Sequence, residues 1–206
     1  VHYALQWNTE KQTFVFAIEP FTQAFMRLLD TQQPMRLVGF PAFIVEWLEK
    51  TQLKCTLPLG SFVETGGGWK KNQDKAMSQA DFAQFVAERL NLPIQNIRDL
   101  FGMVEHGVAY LTCEQGHFHI PNYARACTRH PSTLAVCQDG EIGLLNLICT
   151  YNDAYPAISL LTTDWGRIGY CNCSTPGPTL EVLGRAGSQQ HQGCAFTAAQ
   201  YLRNAS

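Results

Sequence analysis

The chain has 206 residues, enough for one domain with a substantial core and a smaller second lobe. Its formal net charge of -2 supplies no basic field for a nucleic-acid backbone or an anionic membrane surface, so nucleic acid is excluded as the expected partner. No apolar run approaches the roughly 20 residues that span a bilayer, and the opening Val1 to Trp7 lacks the basic start of a signal peptide, so a cytoplasmic protein is expected.

In chain order, the strand-like opening VHYALQW without an initial Met is what an internal fragment of a longer chain presents. Phe14 to Ile18 forms a short apolar run, and Pro20 to Leu29 then sets Phe21, Phe25, Leu28 and Leu29 on one helical face. MRLVGF, Met35 to Phe40, predicts a buried strand, and the following helix runs from Pro41 to Thr51 with proline in its first turn. CTLPLGSFVETGGG holds another strand that ends in a glycine cluster. Ser78 to Leu90 predicts an amphipathic helix through Phe82, Phe85, Val86 and Leu90, capped by Ser78 three residues ahead of Asp81. Strands alternating with helices predict an α/β fold, a parallel sheet with crossover helices.

Near His106 to Glu114 the texture changes to short β-like stretches broken by Gly, Pro, Asn and Asp. The expected organisation is an α/β nucleotide-binding part over residues 1–110, a smaller, mostly antiparallel β-rich sub-lobe over 111–185, and a C-terminal arm over 186–206.

Four stretches carry candidate chemistry. Thr65-Gly66-Gly67-Gly68-Trp69-Lys70 follows a predicted strand, and its bare backbone lets a flat base or a phosphate approach, although such clusters are commonly tight turns and the spacing is not that of a P-loop. Asp99 to His106 carries Glu105, a carboxylate able to hold nucleotide-bound Mg²⁺, or simply a solvated surface group. Leu160 to Gly166 runs a strand into Asp164, suited to ribose hydroxyls or to an Asx turn. Leu183-Gly184-Arg185 then offers a guanidinium to that aspartate or to phosphate.

Eight cysteines are scattered rather than packed as in a small secreted scaffold, so reduced thiols are expected. Cys55, Cys127, Cys137 and Cys149 sit singly among strand-like residues and carry no assigned role. Cys113 and His119, with His117 between them, and the pair Cys171 and Cys173 offer three sulfurs and one imidazole, a set suited to structural Zn²⁺, although neither spacing is that of a standard zinc finger. Cys194 lies 12 residues before the end of the chain, three residues after His191, as a possible nucleophile or an ordinary tail cysteine.

In this order TGGGWK, FGMVE, YPAISLLTTDWG and EVLGR resemble successive signatures of the acyl- and aryl-adenylate-forming superfamily, over roughly residues 60 to 195. With the stretch Cys113 to Pro121 and the late Gly193-Cys194, the chain is most similar to the acyl-protein synthetases of bacterial bioluminescence, which ligate fatty acids to protein. The resemblance implies that Gly66, Gly67, Gly68, Trp69, Phe101 and Gly102 line an adenine pocket, that Glu105 serves Mg²⁺, that Asp164 binds ribose, and that Arg185 contacts ribose or phosphate of ATP. It further implies Cys194 as acyl acceptor, a fatty acid as substrate and an acyl-accepting reductase as partner.

Three departures bear on this. Val104 stands where most of the superfamily has threonine, Phe101 replaces a common tyrosine, and the Ser/Thr/Gly-rich phosphate loop is missing, as expected of a fragment. Two other readings stay open: an aryl- or acyl-CoA ligase of the phenylacetate type, which expects a further C-terminal lobe, and a non-catalytic remnant.

Overall fold

The computed structural model describes residues 1–67, 77–152 and 158–185, and these fall into two compact units, one of residues 1–65 and 77–97, the other of residues 66–67, 98–152 and 158–185.

The first unit is organised around one tryptophan. Helix α1, Ile18–Asp30, and helix α2, Pro41–Thr51, are amphipathic, and Trp47 of α2 is 1% exposed between them. The rings of Phe21 and Phe25 meet it edge-on at 5.2 and 4.8 Å, while its indole Nε1 donates to Thr22 Oγ1 at 2.9 Å. The ring thus buries its apolar body without stranding its one polar atom. Helix α2 begins at Pro41 and ends at Thr51, capped by Gln52 in a left-handed conformation, so its span is the one the sequence predicts.

The antiparallel hairpin of β1, Leu5–Asn8, and β2, Thr13–Phe16, precedes α1. Strand β3, Arg36–Gly39, pairs in parallel with β4, Phe62–Gly66, as the alternating pattern predicts. Val38 is 60% exposed, so β3 is not the fully buried strand that its apolar run suggested. Glu64 of β4 is a buried carboxylate, and Arg36 donates to its Oε2 through Nε at 2.8 Å and Nη2 at 2.5 Å. That pair satisfies a charge the burial would otherwise penalise heavily. Helix α3, Gln79–Leu90, is capped by Ser78, whose Oγ accepts from the Asp81 backbone N–H at 3.1 Å, and it buries Phe82, Val86 and Leu90.

The second unit is almost entirely antiparallel. Strand β5, Ile97–Gly102, folds back through a short turn onto β6, Ala109–Leu111, with Phe101 opposite Tyr110. The remaining strands are β7 Phe118–His119, β8 Ala124–Arg129, β9 Gly143–Cys149, β10 Ser159–Cys171 and β11 Gly177–Arg185, and they form a five-stranded sheet in the order β7-β11-β10-β9-β8. The mostly antiparallel character agrees with the Gly- and Pro-punctuated texture of the sequence. The change of texture read near His106 to Glu114 falls inside this unit. Leu145, Leu147, Ile168 and Leu180 are buried in its core together with Tyr110.

The long hairpin β10–β11 is bulged twice. Its register shifts between Leu161 and Trp165 against β9, and between Trp165 and Gly166 against β11. A Cβ at Gly166 would lie 2.3 Å from the Glu181 carbonyl oxygen and 2.7 Å from Leu145 Cδ2, so only glycine permits that close approach. The first register shift leaves Thr162, Thr163 and Asp164 opposite the single residue Leu145 of β9.

Candidate functional site: an aspartate–arginine pair and a cysteine–histidine cluster

The outer end of the β10–β11 hairpin brings two predicted site residues together. Asp164 lies within the first of these irregularities and directly opposite Arg185, whose Nε is 3.5 Å from Asp164 Oδ1. Asp164 is only 7% exposed, and its backbone N–H donates to Thr162 Oγ1 at 3.0 Å, which fixes the bulge locally. Burial raises the Asp164 carboxyl above the usual aspartate range, and the Arg185 charge opposes that rise. The result is a sheltered carboxylate with a half-exposed guanidinium beside it, able to accept paired hydroxyls and to approach an anion together. Thr162 was not singled out from sequence; a threonine two residues before an aspartate at a strand end is the available signal.

The turn between β5 and β6 holds a second group. Phe101 is half-buried, its ring 6.0 Å from Tyr110 and 6.1 Å from Phe118, so at least part of it packs into the apolar core. Gly102 is exposed, and a Cβ there would stand 3.2 Å from the Val108 carbonyl. Val104 and Glu105 both point to solvent, Val104 at 91% exposure. Gly66 closes β4 within contact range of Leu100, and Gly67 takes the left-handed φ of 71°. Gly68, Trp69, Lys70, His191 and Cys194 lie outside the described residues.

The structure also gathers Cys113, His119, Cys171 and Cys173, whose donor atoms all lie within 4.8 Å of one another. Cys113 Sγ is 3.8 Å from Cys171 Sγ, and Cys173 Sγ is 3.4 Å from His119 Nε2. Tetrahedral zinc with bonds of about 2.3 Å to sulfur places two sulfurs about 3.8 Å apart, the spacing of Cys113 and Cys171 here.

The local fold explains the gathering. A tight turn, with Gly116 at a φ of 81°, carries the Gln115 N–H to Cys113 Sγ at 3.4 Å, and the pairing of β7 with β11 carries His119 to the end of β10. Glu114 then joins the two segments by accepting from the Ser174 backbone N–H at 2.7 Å, and that bond, aided by nearby Arg98, depresses its carboxyl to about 2. Burial works to push the Cys113 thiol up, but hydrogen bonds from the backbone of His117 and Gln115 and from the Cys171 and Cys173 side chains outweigh it and bring it down. Burial raises the Cys171 thiol to about 11. His117 Nδ1 is 3.2 Å from Cys171 Sγ and Gln115 Oε1 is 3.3 Å from it, so both are outer partners of the cluster that spacing alone did not single out.

A cleft of about 670 Å³ lies in the first unit, lined mainly by apolar side chains including Phe16, Phe25, Phe43 and Trp47. None of the predicted site residues lines it. Among the described residues no helix is long and apolar enough to cross a membrane.

The family model described as acyl-protein synthetase, LuxE, matches residues 4–203. The chain belongs to the LuxE acyl-protein synthetase family. It is 29% identical over 191 residues to the long-chain-fatty-acid–luciferin-component ligase of Aliivibrio fischeri, covering 90% of this chain and 50% of that protein. The ligase of the same name from Vibrio harveyi is 29% identical over 140 residues, covering 68% of this chain and 37% of that protein. The chain therefore spans half or less of the length of these relatives.

Among solved structures, the fold resembles a long-chain-fatty-acid-CoA ligase from Archaeoglobus fulgidus, at a TM-score of 0.55 and 14% identity over 81% of this chain and 37% of that one. It also resembles the O-succinylbenzoate coenzyme A synthetase of Bacillus subtilis in complex with AMP, at a TM-score of 0.54 and 16% identity over 82% of this chain and 34% of that one. These likenesses bear out the α/β architecture with its antiparallel sub-lobe.

Proposed function

We propose that this LuxE-family chain supplies part of the nucleotide site of a fatty-acid ligase that works through an acyl adenylate. The fatty-acid carboxylate attacks the α-phosphorus of ATP, the bond to the β-phosphate breaks, and pyrophosphate leaves. The thiolate of Cys194 then attacks the acyl carbonyl; AMP departs with the electron pair of the acyl–oxygen bond, and a thioester remains on the protein. An acyl-accepting reductase is the proposed recipient.

The observation that carries this reading is the Asp164–Arg185 pair, a sheltered carboxylate opposed by a guanidinium at one end of a bulged hairpin. In this reading Asp164 accepts the ribose hydroxyls, and Arg185 both moderates the Asp164 carboxyl and faces ribose or phosphate. Gly66, Gly67 and Gly68 leave the backbone open to adenine, with Trp69, Phe101 and Gly102 as the neighbouring wall. Glu105 is the proposed Mg²⁺ carboxylate, and the ion, when bound, offsets phosphate charge as pyrophosphate forms. Cys113, His119, Cys171 and Cys173 hold a structural Zn²⁺ that ties the β6–β7 turn to the β10–β11 turn. The seven free cysteines among the described residues suit a reducing, cytoplasmic setting.

Full-length protein should catalyse fatty-acid-dependent exchange of labelled pyrophosphate into ATP, and Asp164→Asn should reduce that exchange at least tenfold. Exchange undiminished by Asp164→Asn would remove the pair from the nucleotide site. The likeness to the Archaeoglobus fulgidus ligase favours a second reading, an acyl-CoA ligase. Coenzyme A consumption without labelling of the protein would select it.

A further inference from the structure

The turn that carries Glu105 turns one polar side chain, His106, into the interior of the second unit. The Met103 carbonyl closes it by accepting from the His106 N–H at 3.0 Å and from the Gly107 N–H at 2.9 Å. Val104 and Glu105 are exposed at its tip, whereas His106 is 2% exposed. The imidazole lies parallel to the Tyr110 ring, with an interplanar angle of 5° and centroids 5.9 Å apart, and its Nε2 is 2.7 Å from Tyr110 Oη. Tyr110 is itself completely buried in β6, opposite Phe101 of β5. On the other side of the turn, Gly107 adopts a φ of 72° against Asn152, whose Nδ2 leaves no room for a Cβ.

His106 Nδ1 is buried and has no hydrogen-bond partner among the described residues. A phenyl ring would fill the same space without stranding a polar atom, so packing alone does not account for imidazole here. What imidazole adds is a directional bond to Tyr110. A carboxylate that holds a metal ion must be fixed to within about half an ångström, and a solvent-exposed turn does not supply that by itself.

We propose that His106, through its bond to Tyr110, is the positioning residue that fixes the turn presenting Glu105 to the magnesium nucleotide. The proposal rests on the reading of Glu105 given above. It assigns His106 no contact with substrate.

The test is steady-state kinetics of the full-length protein with magnesium-ATP varied at saturating fatty acid, and the reverse. His106→Phe and Tyr110→Phe should each raise the KM for magnesium-ATP about tenfold and leave the KM for fatty acid within twofold. The double variant should be no worse than either single one, because both remove the same bond. His106→Gln, which can still reach Tyr110, should recover most of the loss. Should His106→Phe fail to fold, Tyr110→Phe, which deletes one hydroxyl, carries the test alone. If both phenylalanine variants stay within twofold of the parent while Glu105→Gln raises the KM, the proposal is overturned and the role of Glu105 stands. If Glu105→Gln itself has no effect, the reading of Glu105 falls and this proposal with it.

Discussion

Asp164 and Arg185 face each other across the last pair of antiparallel strands, with Arg185 Nε 3.5 Å from Asp164 Oδ1. Asp164 sits in the stretch where β10 shifts register against β9, so the pair is a product of that irregularity as much as of the two side chains.

The electrostatics of that pair give a pH prediction. Burial raises the Asp164 carboxyl and Arg185 opposes the rise, so Arg185→Gln should raise it further. A carboxyl whose folded value lies above its unfolded one favours folding below the unfolded value, and that contribution is lost as pH rises through the folded value. In Arg185→Gln the loss should extend to higher pH. Only the ionised group is a full acceptor for ribose hydroxyls, so nucleotide affinity in this variant should fall more at pH 5.5 than at pH 8. Calorimetric titration with ATP at the two pH values checks this; an equal loss at both would contradict it.

The cysteine–histidine cluster should bind one zinc ion per chain, detectable by native mass spectrometry and by metal analysis. Cys113→Ser or Cys171→Ser should abolish tight binding. Glu114→Gln, which weakens the link to Ser174, should cost about tenfold in affinity, at the lower end of the effect of outer-sphere partners. Because the thiols bind as thiolates, affinity should increase with pH. A native protein free of zinc, with a fold unchanged by chelation, would refute the assignment.

Gly166→Ala should be strongly destabilising, by about 3 kcal/mol, because the new methyl would meet the Glu181 carbonyl and Leu145 at distances no real Cβ adopts. Urea unfolding measures the change. A cost under about 0.5 kcal/mol would mean that the β10–β11 bulge relaxes freely, as ordinary surface sites do.

Ser78→Ala removes the oxygen that accepts from the Asp81 N–H at the start of α3. It should lower stability by about 1 kcal/mol, with little effect from Ser78→Asp, which keeps an acceptor. Thermal unfolding of the two variants compares them directly.

Local rules made much of the α/β part legible. Pro41 fixes the first turn of α2, and Ser78 with Asp81 marks the start of α3, because the relevant contacts lie within four residues. The parallel pairing of β3 with β4 followed from strands separated by a helix. Exposure of Val38 was not legible, since a short apolar run looks alike whether one face or both are covered. The Arg36–Glu64 pair joins residues 28 apart, and nothing local announces it. The irregularity that holds Asp164 arises from strand register, which neither propensity nor periodicity specifies. The cysteine–histidine set was visible as residue types, whereas the contacts of Glu114, Gln115 and His117 with it arise only when the hairpins fold together. His106 was quoted as the end of a motif, but its importance comes from its burial against Tyr110.

The proposed reaction is activation of a fatty acid and its uptake on the chain's own cysteine. Its most direct test is incubation of the full-length protein with ATP and labelled fatty acid, followed by denaturing electrophoresis. The account predicts a label that neutral hydroxylamine releases and that Cys194→Ser abolishes while pyrophosphate exchange continues. A label of undiminished intensity on Cys194→Ser would contradict it.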